Sequence, residues 1–357
     1  MLRWNNDYNH GAHPEILKAL AEINDGHFGG YGFDEWCDAA KSEIRANFGP
    51  HADRADIHFL AGGTQANLTV ITAALRPIES VVCVEAGHIN CHEAGSIEAT
   101  GHKMIALPAF ALDGRPDTAG KLSAGALDAE AARFYCDPAQ EHLTQPKMVY
   151  ISSPTEWGTL YSKAELQALR QVCDKYGMYL FLDGARMGYG LTAPSGDVTL
   201  EDIAELADVF YIGGTKCGTM FGEAVVIMNE ELKKSFRFYM KQRGAVLAKG
   251  WLMGVQFYTL FKGGRDALYF TECRRAAEYA MELKAAFQAK DIQFAVDSPT
   301  NQQFVILHKD QLAALEQKHI VEYMEWVDET HRMVRFCTAW STRREDLDEL
   351  LADIAAM

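Results

Sequence analysis

At 357 residues and 48% hydrophobic content, the chain can bury a large core and has room for about two domains. Its 34 basic and 49 acidic residues leave a net charge of −15, which argues against nucleic acid or an anionic membrane as a main partner. The eight cysteines form no C-x-x-C pair, the amino terminus lacks the apolar stretch of a secretory signal, and no run reaches bilayer-spanning length, so a soluble protein of the reducing cytoplasm is expected.

Residues 1–12 are polar and read as an irregular arm. From Pro14 to Ile23 the apolar residues Ile16, Leu17, Leu20 and Ile23 recur at helical spacing, with proline near the first turn. Gly29-Gly30-Tyr31-Gly32 follows, then a second helix over about 34–48. After it, strand-like runs (Ile57–Leu60, Val81–Val84, Met104–Leu107, Met148–Ile151, Met178–Leu182, Val209–Ile212) alternate with helical stretches that include 65–75, 163–176 and 200–207. Such alternation predicts a mostly parallel sheet with helices on both faces, and Ala224–Met228 suits an added antiparallel strand. Past about residue 250 the pattern changes to an aromatic-rich helical region (251–261, then about 266–289). Short strands at 294–296, 304–306 and 334–336 and a charged helix over 344–354 complete the chain. The expected fold is α/β: a large domain over 13–250, with a mixed, mostly parallel sheet between helices, and a smaller C-terminal α+β domain over 251–357.

Two strand ends carry the chemistry. Met178–Leu182 delivers Asp183, and Val209–Ile212 leads to Gly213-Gly214-Thr215-Lys216. In open α/β sheets such ends converge on the ligand crevice. An aspartate and a lysine together there suit pyridoxal 5'-phosphate: the lysine holds it as a Schiff base, and the aspartate keeps the pyridine nitrogen protonated. An ordinary buried Asp–Lys pair is the competing reading. Ala61-Gly62-Gly63-Thr64-Gln65-Ala66-Asn67 opens a helix after a strand, so its backbone N–H groups and the Thr64 hydroxyl suit a single phosphate. A plain strand–turn–helix would read the same.

His88, after the strand 81–84, suits stacking on a pyridine face or general-base work. His92 lies four residues on, at metal-ligand spacing, but no third ligand is near and no metal is expected. Arg186 and Arg335 are candidates to grip a substrate carboxylate bidentately, with Arg335 otherwise a surface arginine at a strand end. Lys241-Gln242-Arg243-Gly244 with Lys249 reads equally as a phosphate contact or a solvated helix face.

With these residues in place, the chain resembles the threonine aldolase / β-eliminating lyase family of fold-type I pyridoxal-phosphate enzymes over nearly its whole length. The resemblance rests on Asn6-Asp7-Tyr8 with Gly11-Ala12-His13-Pro14, Tyr31-Gly32-x-Asp34, Gly63-Thr64-x-Ala66-Asn67 and Gly87-His88-Ile89. It continues through Glu93-Ala94-Gly95, Leu182-Asp183-Gly184-Ala185-Arg186, Gly214-Thr215-Lys216 and Val334-Arg335-Phe336. It implies Lys216 as the Schiff-base lysine, Asp183 as the pyridine-nitrogen partner, and Gly63, Thr64, Gln65 and Thr215 near the phosphate. It further implies His88 on the ring and Asn6, Arg186 and Arg335 at the substrate carboxylate. A homodimer or homotetramer with shared active sites is implied too, Tyr31 and the 241–249 segment with Lys249 reaching across an interface. The expected reaction is retro-aldol cleavage of a β-hydroxy-α-amino acid, such as threonine or allo-threonine, to glycine and an aldehyde, with His88 or His92 as base. The alternatives are β-elimination to pyruvate and ammonia, and cofactor binding without turnover. Two departures bear on the substrate: many aldolases have serine where Asn6 stands, and Ser153-Pro154-Thr155-Glu156-Trp157-Gly158 differs from the Asn-Thr-His-Asn type.

Overall fold

A computed structural model describes residues 1–109 and 119–357. Its strands in chain order are β1 (Leu2–Arg3), β2 (Asp56–Leu60), β3 (Glu79–Val84), β4 (Lys103–Leu107), β5 (Gln145–Ser152), β6 (Tyr179–Asp183) and β7 (Val209–Gly213). They continue as β8 (Glu223–Ile227), β9 (Gln293–Phe294), β10 (Gln302–His308), β11 (His319–Ile320), β12 (Glu322–Trp326) and β13 (His331–Cys337). Seven form the main sheet in the order β2-β8-β7-β6-β5-β3-β4. Strands β7, β6, β5, β3 and β4 run parallel, and β8 lies antiparallel between β7 and β2, as its expected place as an added strand required.

Both faces of this sheet are covered, which explains why its strands read as continuous apolar runs. Val82, Val84, Val149, Ile151, Leu180, Leu182, Phe210 and Ile212 enter one core. The alternating residues Val81, Cys83, Met148, Tyr150, Phe181, Val209 and Tyr211 enter the other. Pairing between β6 and β7 ends at Leu182 and Phe210, and the chain beyond them is drawn together without side chains. A Cβ at Gly184 would lie 2.0 Å from the Tyr211 carbonyl oxygen, and one at Gly213 would lie 2.3 Å from that of Ala185. Glycine is required at both for the strand ends to approach this closely.

A four-stranded antiparallel sheet, β12-β13-β10-β9, builds the second layer near the carboxyl end. Its core combines Leu283, Phe287, Val305, Leu307, Val334, Phe336, Leu347, Leu350 and Ile354. The helix Trp251–Phe261 packs into the main core through Met253, Phe257, Leu260 and Phe261. The long helix Leu268–Gln288 spans both cores, giving Tyr269, Cys273 and Ala276 to the first and Leu283 and Phe287 to the second.

The amino-terminal arm has no helix or strand over 4–12 but is anchored at its start. β1 pairs in parallel with β11, and Trp4 is buried in the second core with its indole N–H on His319 Nδ1 at 3.2 Å. Among the described residues no helix is long and apolar enough to cross a membrane, and all eight cysteines are free.

Candidate active site

Asp183 emerges at the carboxyl end of β6 and is only 3% exposed. Four donors hold its carboxylate. Tyr211 Oη and the Ala185 N–H reach Oδ1 at 2.5 and 3.0 Å, and Tyr150 Oη and Asn67 Nδ2 reach Oδ2 at 2.5 and 3.1 Å. Burial and the neighbouring Asp183 charge push both phenols well above their ordinary range, so they serve as O–H donors. Neither tyrosine was singled out in the sequence. The available signal was a lone hydroxyl-bearing ring in each of two aliphatic strands, β5 and β7.

Lys216 lies in the loop that joins β7 to β8, half-buried, its Nζ 6.0 Å from the Tyr8 ring centre. Backbone bonds at 3.1 Å from the Gly214 and Thr215 N–H groups to the Gly222 carbonyl close that loop. Glu223, also missed in the sequence, staples it from below, accepting the Gly214 N–H at 3.0 Å and the Thr215 hydroxyl at 2.7 Å. Burial pushes the Glu223 carboxyl up to about 8. Burial also pulls the Lys216 ammonium below its ordinary value, aided by the Arg186 charge and opposed by Asp7, Asp183 and Glu223. A lysine eased toward its neutral amine is suited to imine chemistry.

The helix Gly63–Ala74 begins beside this loop, with Gly62 as an N-cap that offers no side chain. A Cβ at Gly62 would meet nothing within 4 Å, so the first-turn N–H groups stand open to an anion. Thr64 is exposed there, whereas Gln65 is used internally: it accepts the Ala61 N–H at 3.1 Å and donates to the Arg243 carbonyl at 3.1 Å.

His88 Nδ1 is 2.7 Å from Glu93 Oε1, and its backbone N–H donates to Glu156 Oε1 at 2.8 Å. Glu156 also accepts the Ser152 hydroxyl at 2.6 Å, and its Oε2 is buried without a partner. Burial raises the Glu156 carboxyl above its ordinary value. The His92 ring lies 5.5 Å from that of His88. Burial, with the charges of His88, Arg335, Lys216 and Arg186, holds it below the usual imidazole value. His92 is therefore neutral at neutral pH and able to accept a proton.

Arg186 points inward but is largely occupied: Nε and Nη2 reach the two oxygens of Asp7 at 2.7 and 3.0 Å. Burial would raise Asp7, yet the Arg186 and Lys216 charges overcome it and hold the carboxyl below its ordinary value. Arg335, on β13, gives Nη2 to the Asn5 carbonyl at 3.0 Å and Nη1 to Gln302 Oε1 at 3.3 Å, and its Nε is buried and unpartnered. Asn6 turns its own Oδ1 onto the Tyr8 N–H at 3.1 Å.

Tyr31 and Lys249 are exposed and make no hydrogen bond, ion pair or ring contact with Asp183, Lys216 or Arg186 among the described residues. Tyr31 instead lies under Lys241 Nζ at 5.0 Å, and its N–H donates to the Ala248 carbonyl at 3.0 Å. The carboxyl ends of β6 and β7 thus present a buried aspartate and a lysine beside an open helix start, with a histidine pair whose His92 feels the charges of Lys216, Arg186 and Arg335. A single-phosphate cofactor with a basic ring nitrogen and a carbonyl fits that set of groups.

A threonine aldolase from Leishmania major is 40% identical, with a TM-score of 0.92, covering 100% of this chain and 99% of that one. The low specificity L-threonine aldolase of Pseudomonas aeruginosa is 27% identical over 96% of this chain and 94% of its own length. A serine palmitoyltransferase from Sphingomonas wittichii, 14% identical with a TM-score of 0.70 over 99% of this chain and 86% of its own, shares the fold, that of fold-type I pyridoxal-phosphate enzymes. Residues 7–310 match the β-eliminating lyase family, and the chain belongs to that family.

Proposed function

We propose that the protein is a pyridoxal-phosphate-dependent aldolase that cleaves β-hydroxy-α-amino acids, such as threonine or allo-threonine, to glycine and an aldehyde. The observation that carries this reading is the end-to-end similarity to a threonine aldolase, in a chain whose Asp183 ends β6, whose Lys216 follows the adjacent strand β7, and whose Lys216 and Arg335 charges both bear on His92. Lys216 would hold the cofactor covalently, Asp183 its ring nitrogen, and the first turn of Gly63–Ala74 with Thr64 and Thr215 its phosphate. When bound, the cofactor supplies an electron sink for the pair released as the Cα–Cβ bond breaks.

The chain's own residues do the rest. Arg335, with an unpartnered buried Nε, takes the substrate carboxylate, and Arg186 supports it through the nitrogen that Asp7 leaves free. His92 or His88 Nε2 takes the proton of the β-hydroxyl, and Lys216 Nζ returns a proton to Cα. Tyr31 and Lys249 serve a neighbouring subunit's site in a homodimer or homotetramer. Eight free cysteines and a net charge of −15 support a cytoplasmic protein with small-molecule partners. Incubation with threonine and pyridoxal phosphate should release glycine and acetaldehyde in equal amounts. Pyruvate and ammonia instead would identify a β-eliminating lyase, and no turnover of any amino acid would leave only a cofactor-binding role.

A further inference from the structure

Glu93 has no role in the chemistry above, yet it is the best-held carboxylate near His88. Its side chain is fully buried. Oε1 lies 2.7 Å from His88 Nδ1 and accepts Asn67 Nδ2 at 2.7 Å, and Oε2 accepts the Ser96 hydroxyl at 2.9 Å. The same Asn67 nitrogen reaches Asp183 Oδ2 at 3.1 Å, so one amide bridges the two buried carboxylates. That geometry also decides how the amide is oriented, because its oxygen cannot face two carboxylates.

The backbone just after Glu93 is unusual. Ala94 has φ 51° and Gly95 φ 73°, two consecutive left-handed residues of which the first is not glycine. A side chain with a Cβ is disfavoured there, and such strain persists only where the surroundings over-determine it. The turn directs Glu93 back toward His88 and Asn67 instead of letting the chain run on past the site.

From these contacts we propose that Glu93 is the positioning residue of His88. With a carboxylate oxygen facing Nδ1, that nitrogen carries the ring proton, and Nε2 is the lone-pair nitrogen. Among the described residues Nε2 has no hydrogen-bond partner, and the side chain is 33% exposed. Glu93 thereby fixes the ring's tautomer and rotation. It touches neither substrate nor cofactor. Asn67 couples this pair to Asp183, so the carboxylate that positions the histidine and the one assigned to the ring nitrogen are held in register by one side chain. The inference rests on the proposed reaction for its catalytic consequence, but the tautomer is a property of the chain alone.

The test is ring-nitrogen NMR on the full-length protein labelled with 15N-histidine, with and without added pyridoxal phosphate, the His88 signal identified by its loss in His88→Gln. Wild type should show a protonated Nδ1 and a bare Nε2 in both states. Glu93→Met, which keeps the bulk and removes the acceptor, should give a tautomer mixture. Its kcat for glycine release should fall by about a hundredfold, with KM within about twofold of wild type. In Glu93→Gln the Asn67 N–H beside Nδ1 requires the amide oxygen at that position and the rotatable Ser96 hydroxyl can accept from the amide nitrogen, so this variant should hold the tautomer and recover part of the loss. The inference is overturned if wild-type His88 carries its proton on Nε2, or if Glu93→Met keeps either the wild-type tautomer or the wild-type kcat. Should Glu93→Met not fold, the wild-type spectrum and Glu93→Gln still decide. A wild-type protein that releases no glycine would sink the proposed reaction and leave the tautomer measurement to judge Glu93 by itself.

Discussion

Arg186 and Asp7 face each other through two parallel hydrogen bonds, Nε to Oδ2 at 2.7 Å and Nη2 to Oδ1 at 3.0 Å, with both side chains almost wholly withdrawn from solvent. Asp7 also accepts Asn301 Nδ2 at 2.9 Å, so a residue of the amino-terminal segment links the loop after β6 to the segment before β10. Losing one partner of such a pair leaves an uncompensated buried charge, which costs about 3–5 kcal/mol. Asp7→Ala should therefore lower the free energy of unfolding by that order in urea. A variant within about 0.5 kcal/mol of wild type would place the pair in contact with water.

The large sheet was legible in the sequence because both of its faces are buried. Six apolar runs appear as β2 to β7, each within a few residues of its expected bounds. β12 was not, since most of its residues are exposed and carry no alternation to read. The site divides the same way. Asp183 and Lys216 could be found because Asp183 directly follows an apolar run and Lys216 follows one after Gly213-Gly214-Thr215. Glu223, Tyr150 and Tyr211 reach the same place through tertiary packing, and Glu93 stood out only as part of the Glu93-Ala94-Gly95 motif, because a sequence does not display the partners of a buried carboxylate or phenol. The burial of Trp4 and the Asp7–Arg186 link are likewise pairings between distant parts of the chain, which a one-dimensional pattern does not display.

Lys216 should carry the cofactor. Borohydride treatment of protein reconstituted with pyridoxal phosphate should remove the imine absorbance and leave a reduced adduct on the peptide that contains Lys216. Lys216→Ala should bind without that adduct and release no glycine. Labelling at Lys121, Lys241 or Lys249 would refute the assignment.

Asp183→Ala removes both the proposed ring-nitrogen partner and the shared acceptor of Tyr150, Tyr211 and Asn67. Two consequences are expected. kcat should drop by at least about a hundredfold. Stability should fall by about 1–3 kcal/mol for each buried donor left unsatisfied. Loss of stability with unchanged kcat would make Asp183 purely structural.

Glu223 predicts a pH dependence of stability. Its carboxyl is raised from 4.5 to about 8 by burial, so the folded state holds this proton more tightly than the unfolded chain. The resulting stabilisation is complete below the unfolded value and is lost as pH rises through about 8. Glu223→Gln, which cannot ionise, should lose less stability than wild type between about pH 6 and pH 9. Parallel stability curves for the two proteins would mean that Glu223 is ionised throughout.

Arg335 is the residue proposed to hold the substrate carboxylate, and its charge also bears on the ionisation of His92, so one substitution tests both. Loss of a charge-assisted contact costs about 1.5–3 kcal/mol, so Arg335→Ala should weaken apparent amino-acid binding by roughly tenfold or more. Arg335→Lys should recover only part, because an ammonium lacks the planar two-donor fork. The cofactor spectrum should not change in either variant. His92 is held below the usual imidazole value by burial first, then by His88 and by Arg335. Removing the Arg335 charge lets the His92 value rise. If His92 is the base, activity requires its neutral form, so the acid limb of kcat/KM should move to higher pH in Arg335→Ala and stay near the wild-type position in Arg335→Lys. An acid limb that does not move in Arg335→Ala, with binding weakened as expected, would assign the base to His88 and leave Arg335 to the carboxylate alone. Intact binding together with a bleached cofactor band would instead tie Arg335 to the cofactor, and the substrate carboxylate would fall to the one nitrogen of Arg186 that Asp7 does not hold.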